Sequence, residues 1–86
     1  MSNASATATG DEIKGYLTEL LAKILKVKAG DISGSIAFDR YGLDSAGAFK
    51  MVGNINERYG TDFEPTILYD HTTVDDLAAF LRTQIK

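Results

Sequence analysis

Residues 9–25 read TGDEIKGYLTELLAKIL, and this stretch decides the class of fold. Thr9 supplies a hydroxyl at an N-cap position and Glu12 follows three residues later, the form of a capping box. Behind it Ile13, Leu17, Leu20, Leu21 and Ile24 recur at three- and four-residue intervals, so they share one face of a helix. Glu19 and Lys23, four apart, make an oppositely charged pair on the outside. The spacing predicts a helix from about Asp11 to Leu25. Its apolar face needs other elements to cover it.

Toward the N-terminus, Met1 to Thr9 is rich in Ser, Ala and Thr without periodicity. Residues 1–9 are expected to be a disordered leader or a cloning scar (Ser2-Asn3-Ala4), with a single domain over 10–86. Toward the C-terminus, Ala29 to Asp44 reads as a long loop containing Gly30, Gly34 and Gly42. Loops of this length are usually functional or disordered. Ile32, Ile36, Phe38 and Leu43 favour order, since each can be tucked onto a core. A second helix is expected from Asp44 or Ser45, either of which can serve as N-cap. Phe49, Val52, Ile55 and Tyr59 are its expected inward stripe, and Gly60 its stop. Gly47 and Gly53 lie within it, each costing roughly 1 kcal/mol relative to alanine. Glu64-Pro65-Thr66 permits a short third helix, with Ile67, Leu68 and Tyr69 packing inward. Thr73 and Asp76 resemble another cap, followed by Val74, Leu77, Leu81 and Ile85 on the inner face of a last helix. No segment alternates with period two for long. The expected fold is all-α: a four-helix bundle of three longer helices and one short one, with a long ordered loop between the first and second.

Composition removes several functions. The chain has 86 residues, 44% hydrophobic and 24% charged, which suits one globular domain and not a disordered chain. It has no cysteine and one histidine, so a disulfide framework, a cysteine nucleophile and a zinc site are excluded. No apolar run is long enough for a membrane span, and no secretory signal opens the chain, so a cytoplasmic monomer without membrane contact is expected. The net charge is −3. The acids concentrate after residue 30, at Asp31, Asp39, Asp44, Glu57, Asp62, Glu64, Asp70, Asp75 and Asp76, against Arg40, Lys50 and Arg58. Phosphate-backbone binding draws on clustered Lys and Arg, so nucleic acid is not an expected partner. An acidic surface suits a basic protein partner or serves only solubility. A serine triad could draw only on His71, better explained as a loop histidine bonded to backbone. Tyr16, Phe49, Tyr59, Phe63 and Phe80 read as core aromatics, and no Walker-type phosphate cradle occurs.

Ser45 stands out on physical grounds. It lies where a long ordered loop feeds a helix N-terminus, and free N–H groups with the helix dipole favour an anion there. A phosphodiester on Ser45 Oγ would be stabilised by that position. A simple helix-capping role is the alternative.

In its context, Tyr41-Gly42-Leu43-Asp44-Ser45 resembles the Gly-x-Asp-Ser modification motif of acyl carrier proteins. The likeness extends from about Ile13 to Leu81. Tyr59-Gly60-Thr61-Asp62-Phe63 is similar to the family's helix-ending glycine and the apolar residue after it. Pro65 to Val74, with Leu68-Tyr69-Asp70-His71-Thr72-Thr73-Val74 at its centre, resembles the Leu-Phe-Asp-His-Pro-Thr-Val segment of polyketide-synthase carriers. Asp76-Leu77-Ala78-Ala79-Phe80-Leu81 is similar to the closing helix. The resemblance implies a non-catalytic carrier. Its Ser45 would receive 4'-phosphopantetheine from coenzyme A by a separate phosphopantetheinyl transferase, with Asp44 assisting transferase or metal recognition. Acyl chains would be held as thioesters for a ketosynthase or other biosynthetic enzymes of polyketide or fatty-acid type.

The family commonly has Leu after the modified serine and an acid five positions beyond it; here stand Ala46 and Lys50. Docking is therefore expected through Leu43, Ala46, Gly47, Lys50 and Met51, with Ala48 and the acidic loops, and not through an acidic second helix. Met51-Val52-Gly53-Asn54-Ile55, taken with Pro65 to Asp70, resembles carriers loaded by acyl-adenylating ligases; loading by an acyltransferase is the alternative. The rivals are an unmodified docking adaptor, a peptidyl carrier, a small hydrolase using Ser45 and a nucleic-acid module.

Overall fold

The structure, a computed structural model, describes residues 10–84. Helix α1 spans Gly10–Leu25, α2 Ser45–Tyr59, α3 Ile67–Asp70 and α4 Val74–Gln84, and two single-turn 3-10 segments, Ala29–Asp31 and Phe38–Tyr41, order the long loop. The fold is mostly helical, with four helices and no strand among the described residues. The expected cap at Thr9, the leader over 1–9 and Ile85 lie outside the described residues.

Helix α1 packs chiefly on α4 and next on α2. Ile13, Leu17, Leu20 and Leu21 are buried, as their spacing predicts, against Met51, Val52 and Ile55 of α2 and Val74, Leu77 and Leu81 of α4. Burying a side chain of this kind contributes roughly 1.5–3 kcal/mol, so these facing stripes dominate the stability. Glu19 and Lys23 form no ion pair with each other. Lys14 Nζ instead reaches Asp75 Oδ1 at 2.6 Å, tying α1 to the start of α4. The Thr73 cap forms as expected: its Oγ1 accepts from the Asp76 N–H at 3.0 Å.

The long loop is fastened to the α3–α4 connection by backbone. The Phe38 N–H donates to Thr72 O at 2.7 Å, and the Asp75 N–H donates to Gly34 O at 3.0 Å. Ala37 and Thr73 form an isolated antiparallel bridge there. A Cβ on Gly34 would crowd the Asp75 carboxylate, which would have to move aside. At the far end of α2, Gly60 takes the left-handed conformation at φ 67° and ends the helix. The Asn56 amide then holds the following loop, donating to Phe63 O at 2.9 Å and accepting from Phe63 N at 2.8 Å.

Four expectations need correction. Phe49, placed in the inward stripe of α2, is 71% exposed, because the buried stripe runs through Met51, Val52 and Ile55 and leaves Phe49 beside it. Met51, expected to meet partners, is consequently fully buried and cannot form a docking contact. Tyr69 is 74% exposed, since α3 is one turn long and turns only Leu68 fully inward. Ile36 is also exposed, because Phe38 anchors that part of the loop.

Candidate functional site

The loop delivers α2 through a sequence of local constraints. Phe38 is buried and starts a 3-10 turn; Gly42 closes that turn at φ 83°, a left-handed conformation that favours glycine. Leu43 follows half-buried, and Asp44 then takes the N-cap position in extended backbone. Asp44 Oδ1 accepts from the Gly47 N–H at 2.8 Å, while Asp44 O accepts from the Ala48 N–H at 2.8 Å. The capping residue is therefore Asp44, and Ser45 is the first residue of the helix.

That division leaves Ser45 exposed, and its Oγ has no hydrogen-bond partner among the described residues. The Ser45 and Ala46 N–H groups likewise have no acceptor among them. Together with the helix dipole these donors favour an anion at this end of α2. Beside Ser45 lies an open cleft of about 420 Å³ between the long loop, α2 and α3. Phe38, Leu43, Ala48 and Leu68 give it apolar walls, the exposed Tyr69 also lines it, and Asp39 and Asp44 are its charged residues.

The other expected residues are spread around this point. Ala46 and Lys50 are exposed. Gly47 is half-buried, and a Cβ on it would come 2.7 Å from Leu43 Cδ1 and 3.3 Å from Asp44 Oδ1. It acts as a close-approach glycine beneath the cap. Lys50 borders a separate shallow groove between α1 and α2 with Tyr16 and Lys23. Phe49 and Tyr69, read as core from the sequence, are exposed near the site. Phe49 lies four residues after Ser45, hence on the same helix face one turn on. Simple i,i+4 arithmetic from Ser45 was the signal that could have found it.

His71 Nδ1 lies 3.1 Å from Asp76 Oδ1 and its ring stacks on Phe80 at 4.2 Å, so its side chain is held by a carboxylate and a ring where backbone was expected. No hydrogen bond joins it to Ser45 among the described residues. Among the described residues no group of three or more His, Cys, Asp or Glu is placed to hold a metal. No helix among them is long and apolar enough to cross a membrane.

Two side chains away from the cleft have shifted proton affinities. A hydrogen bond and charge attraction from Asp75 hold the Lys14 ammonium above its ordinary pKa. Burial pushes the Tyr16 phenol up, partly opposed by Arg58, whose guanidinium lies 4.4 Å from the ring centre.

Residues 15–81 match the family described as "Phosphopantetheine attachment site". The polyketide synthase ThaG of Burkholderia thailandensis is 39% identical over 84 residues, covering 98% of this chain and 1% of that protein. The polyketide synthase PksM of Bacillus subtilis is 38% identical over 66 residues, covering 77% of this chain and 2% of that protein. The chain thus corresponds to a small part of these long synthases. Among solved structures, a free-standing peptidyl carrier protein from Acinetobacter baumannii superposes with a TM-score of 0.86 at 29% identity, covering 87% of this chain and 94% of that one. The HMG-ACPI domain from the CurA module of Lyngbya majuscula also gives 0.86, at 27% identity, with 99% and 86% covered.

Proposed function

The chain belongs to the phosphopantetheine attachment-site family, whose members carry covalently attached 4'-phosphopantetheine, and from that membership we propose that Ser45 is its attachment residue and that it carries acyl intermediates in polyketide-type biosynthesis. The observation that carries this reading is the uncommitted Ser45 hydroxyl at an N-terminus that Asp44 already caps.

The residues fit the group. Ser45 Oγ is open to an approaching transferase, gives up its proton to that enzyme and forms the phosphodiester bond as adenosine 3',5'-bisphosphate departs from coenzyme A. The free N–H groups of the first turn then face an anion, which a helix N-terminus favours by about 0.3–1 kcal/mol at an exposed site. When bound, the group supplies the thiol that this cysteine-free chain lacks and holds the cargo as a thioester. Asp44 fixes the first turn so that Ser45 stands at the edge of the bundle. The chain's own part is anchorage and presentation; the chemistry on the cargo belongs to partner enzymes such as a ketosynthase, and an acyl-adenylating ligase or an acyltransferase loads it.

A peptidyl cargo is the second reading, favoured by the likeness to the free-standing peptidyl carrier. Intact mass after incubation with coenzyme A and a broad-specificity transferase tests the attachment: the protein gains one arm, and Ser45→Ala gains none. An unchanged mass for the native protein would leave the unmodified adaptor in its place. Offering the holo form to acyl-adenylating ligases, acyltransferases and aminoacyl-adenylating enzymes then separates the loading routes.

A further inference from the structure

The chain is acidic as a whole, yet four of its nine lysines and arginines stand along α2 and the end of α1. Helices α1 and α2 run antiparallel. A Cβ on Gly47, at the start of α2, would lie 3.4 Å from Ile24 Cγ2 near the end of α1. Tyr16, earlier in α1, donates its hydroxyl to Asn54 O at 3.2 Å and meets Tyr59 edge-on. Between the two helices lies a groove of about 260 Å³ with Leu20 and Ile24 as its apolar residues, Lys23 on the α1 bank and Lys50 on the α2 bank. Lys26 and Lys28 follow as α1 ends, with the exposed Val27 between them. None of these four lysines forms an ion pair among the described residues.

The end of α1 adds a second, independent sign. The Val27 N–H donates to Ala22 O at 2.9 Å, and Lys26 before it takes left-handed backbone at φ 61°, where glycine fits without strain. The exposed Lys26 side chain has no partner among the described residues, so the strain returns nothing to the fold. Strain kept without a structural return points to an outside contact.

We propose that the α1–α2 groove is a docking surface for an acidic amphipathic helix of a partner protein. One apolar side chain of that helix lies on Leu20 and Ile24, and the carboxylates flanking it meet Lys23, Lys26 and Lys50. Charge and shape choose the occupant: a groove between two packed helices accepts the side-chain ridge of a third, and ammonium groups stand on both banks. Glu19, the acid of the groove, lies one turn before Lys23, so the partner's carboxylates belong at the Ile24 end. The docking is independent of whether Ser45 is the attachment residue.

The test titrates the isotope-labelled protein by NMR with a synthetic helical peptide of about four turns, a leucine stripe bordered by glutamates. The Leu20 and Ile24 methyl signals and the Lys50 amide shift. Lys23→Glu with Lys50→Glu weakens binding about tenfold or more. Arg40→Glu with Arg82→Glu, the same change of net charge outside the groove, stays within about twofold of the parent. Lys26→Gly melts at a higher temperature yet binds about twofold or more weakly, a combination that a purely structural lysine would not produce. All five positions are exposed, so circular dichroism should show unchanged helix content. No shift with the acidic peptide, equal shifts with a peptide bearing lysine for glutamate, or equal weakening by the two charge-reversed pairs overturns the proposal. Two further results also overturn it by giving the groove another occupant. One is binding to phosphatidylglycerol vesicles that matches the peptide's and is lost with Lys23→Glu and Lys50→Glu. The other is a dimer in sedimentation equilibrium that the same pair dissolves.

Discussion

Asp44 and Ser45 are adjacent, yet the structure gives them separate duties. Asp44→Ala removes the acceptor for the Gly47 N–H and should lower stability by about 1 kcal/mol, the usual cost of a lost N-cap. Ser45→Ala should change stability by no more than about 0.5 kcal/mol, as for a surface position without partners. Thermal unfolding of the two variants checks this, and the reverse order of effects would return the capping role to Ser45. A second pair separates the sequence expectation from the structure in the same way. Met51→Ala should cost about 2–5 kcal/mol, because it empties a fully buried site. Phe49→Ala should be close to neutral, because its ring is already in water. Urea titrations of both variants would show it, and equal losses would mean that Phe49 is a core residue after all.

At the level of elements, α2 carries the informative glycines. Gly53 has open space around it, so Gly53→Ala should raise stability by about 1 kcal/mol through helix propensity. Gly47→Ala should fall short of that gain, because the new methyl displaces Leu43 and crowds the Asp44 cap. Melting temperatures of the two variants make the comparison directly. Helices α1 and α4 were legible in the sequence because each has one apolar stripe and the two stripes pack chiefly on each other. Helix α2 was not, because two stripes fit its residues: Phe49-Val52-Ile55-Tyr59, or Ala48-Met51-Val52-Ile55-Tyr59. Helical spacing alone does not choose between them. The choice is made by what surrounds the helix, with α1 on one side and the loop and α3 on the other. Tyr69 failed for a related reason, since a single turn buries one residue well and three apolar residues competed for it. The helix start at Asp44 and Ser45 was readable, because capping and the left-handed Gly42 before it are local events. The cleft was invisible, being assembled from Phe38, Leu43 and Leu68 across three elements.

The whole molecule has a defined response to alkali. Lys14 and Tyr16 both hold their protons more tightly in the fold than their ordinary values of 10.5 and 10.0. A proton held more tightly by the native state stabilises it below the unfolded pKa and ceases to do so as pH rises through the folded one. Chemical denaturation between about pH 9 and 12 should therefore show stability falling above pH 10, and Lys14→Met with Tyr16→Phe should flatten that limb. A limb of the same slope in the double variant would place the loss elsewhere. The tie between Lys14 and Asp75 also bears on the site, since the Asp75 N–H holds the long loop at Gly34 and that loop leads to Ser45. Because the neighbouring aspartate does the fastening at the head of α2, the attachment proposed at Ser45 would add or remove a group there without breaking a bond that the native state relies on. Bare and loaded forms should then have nearly superimposable amide spectra away from that helix end, so a partner that tells them apart must read the appendage itself and not a reshaped bundle.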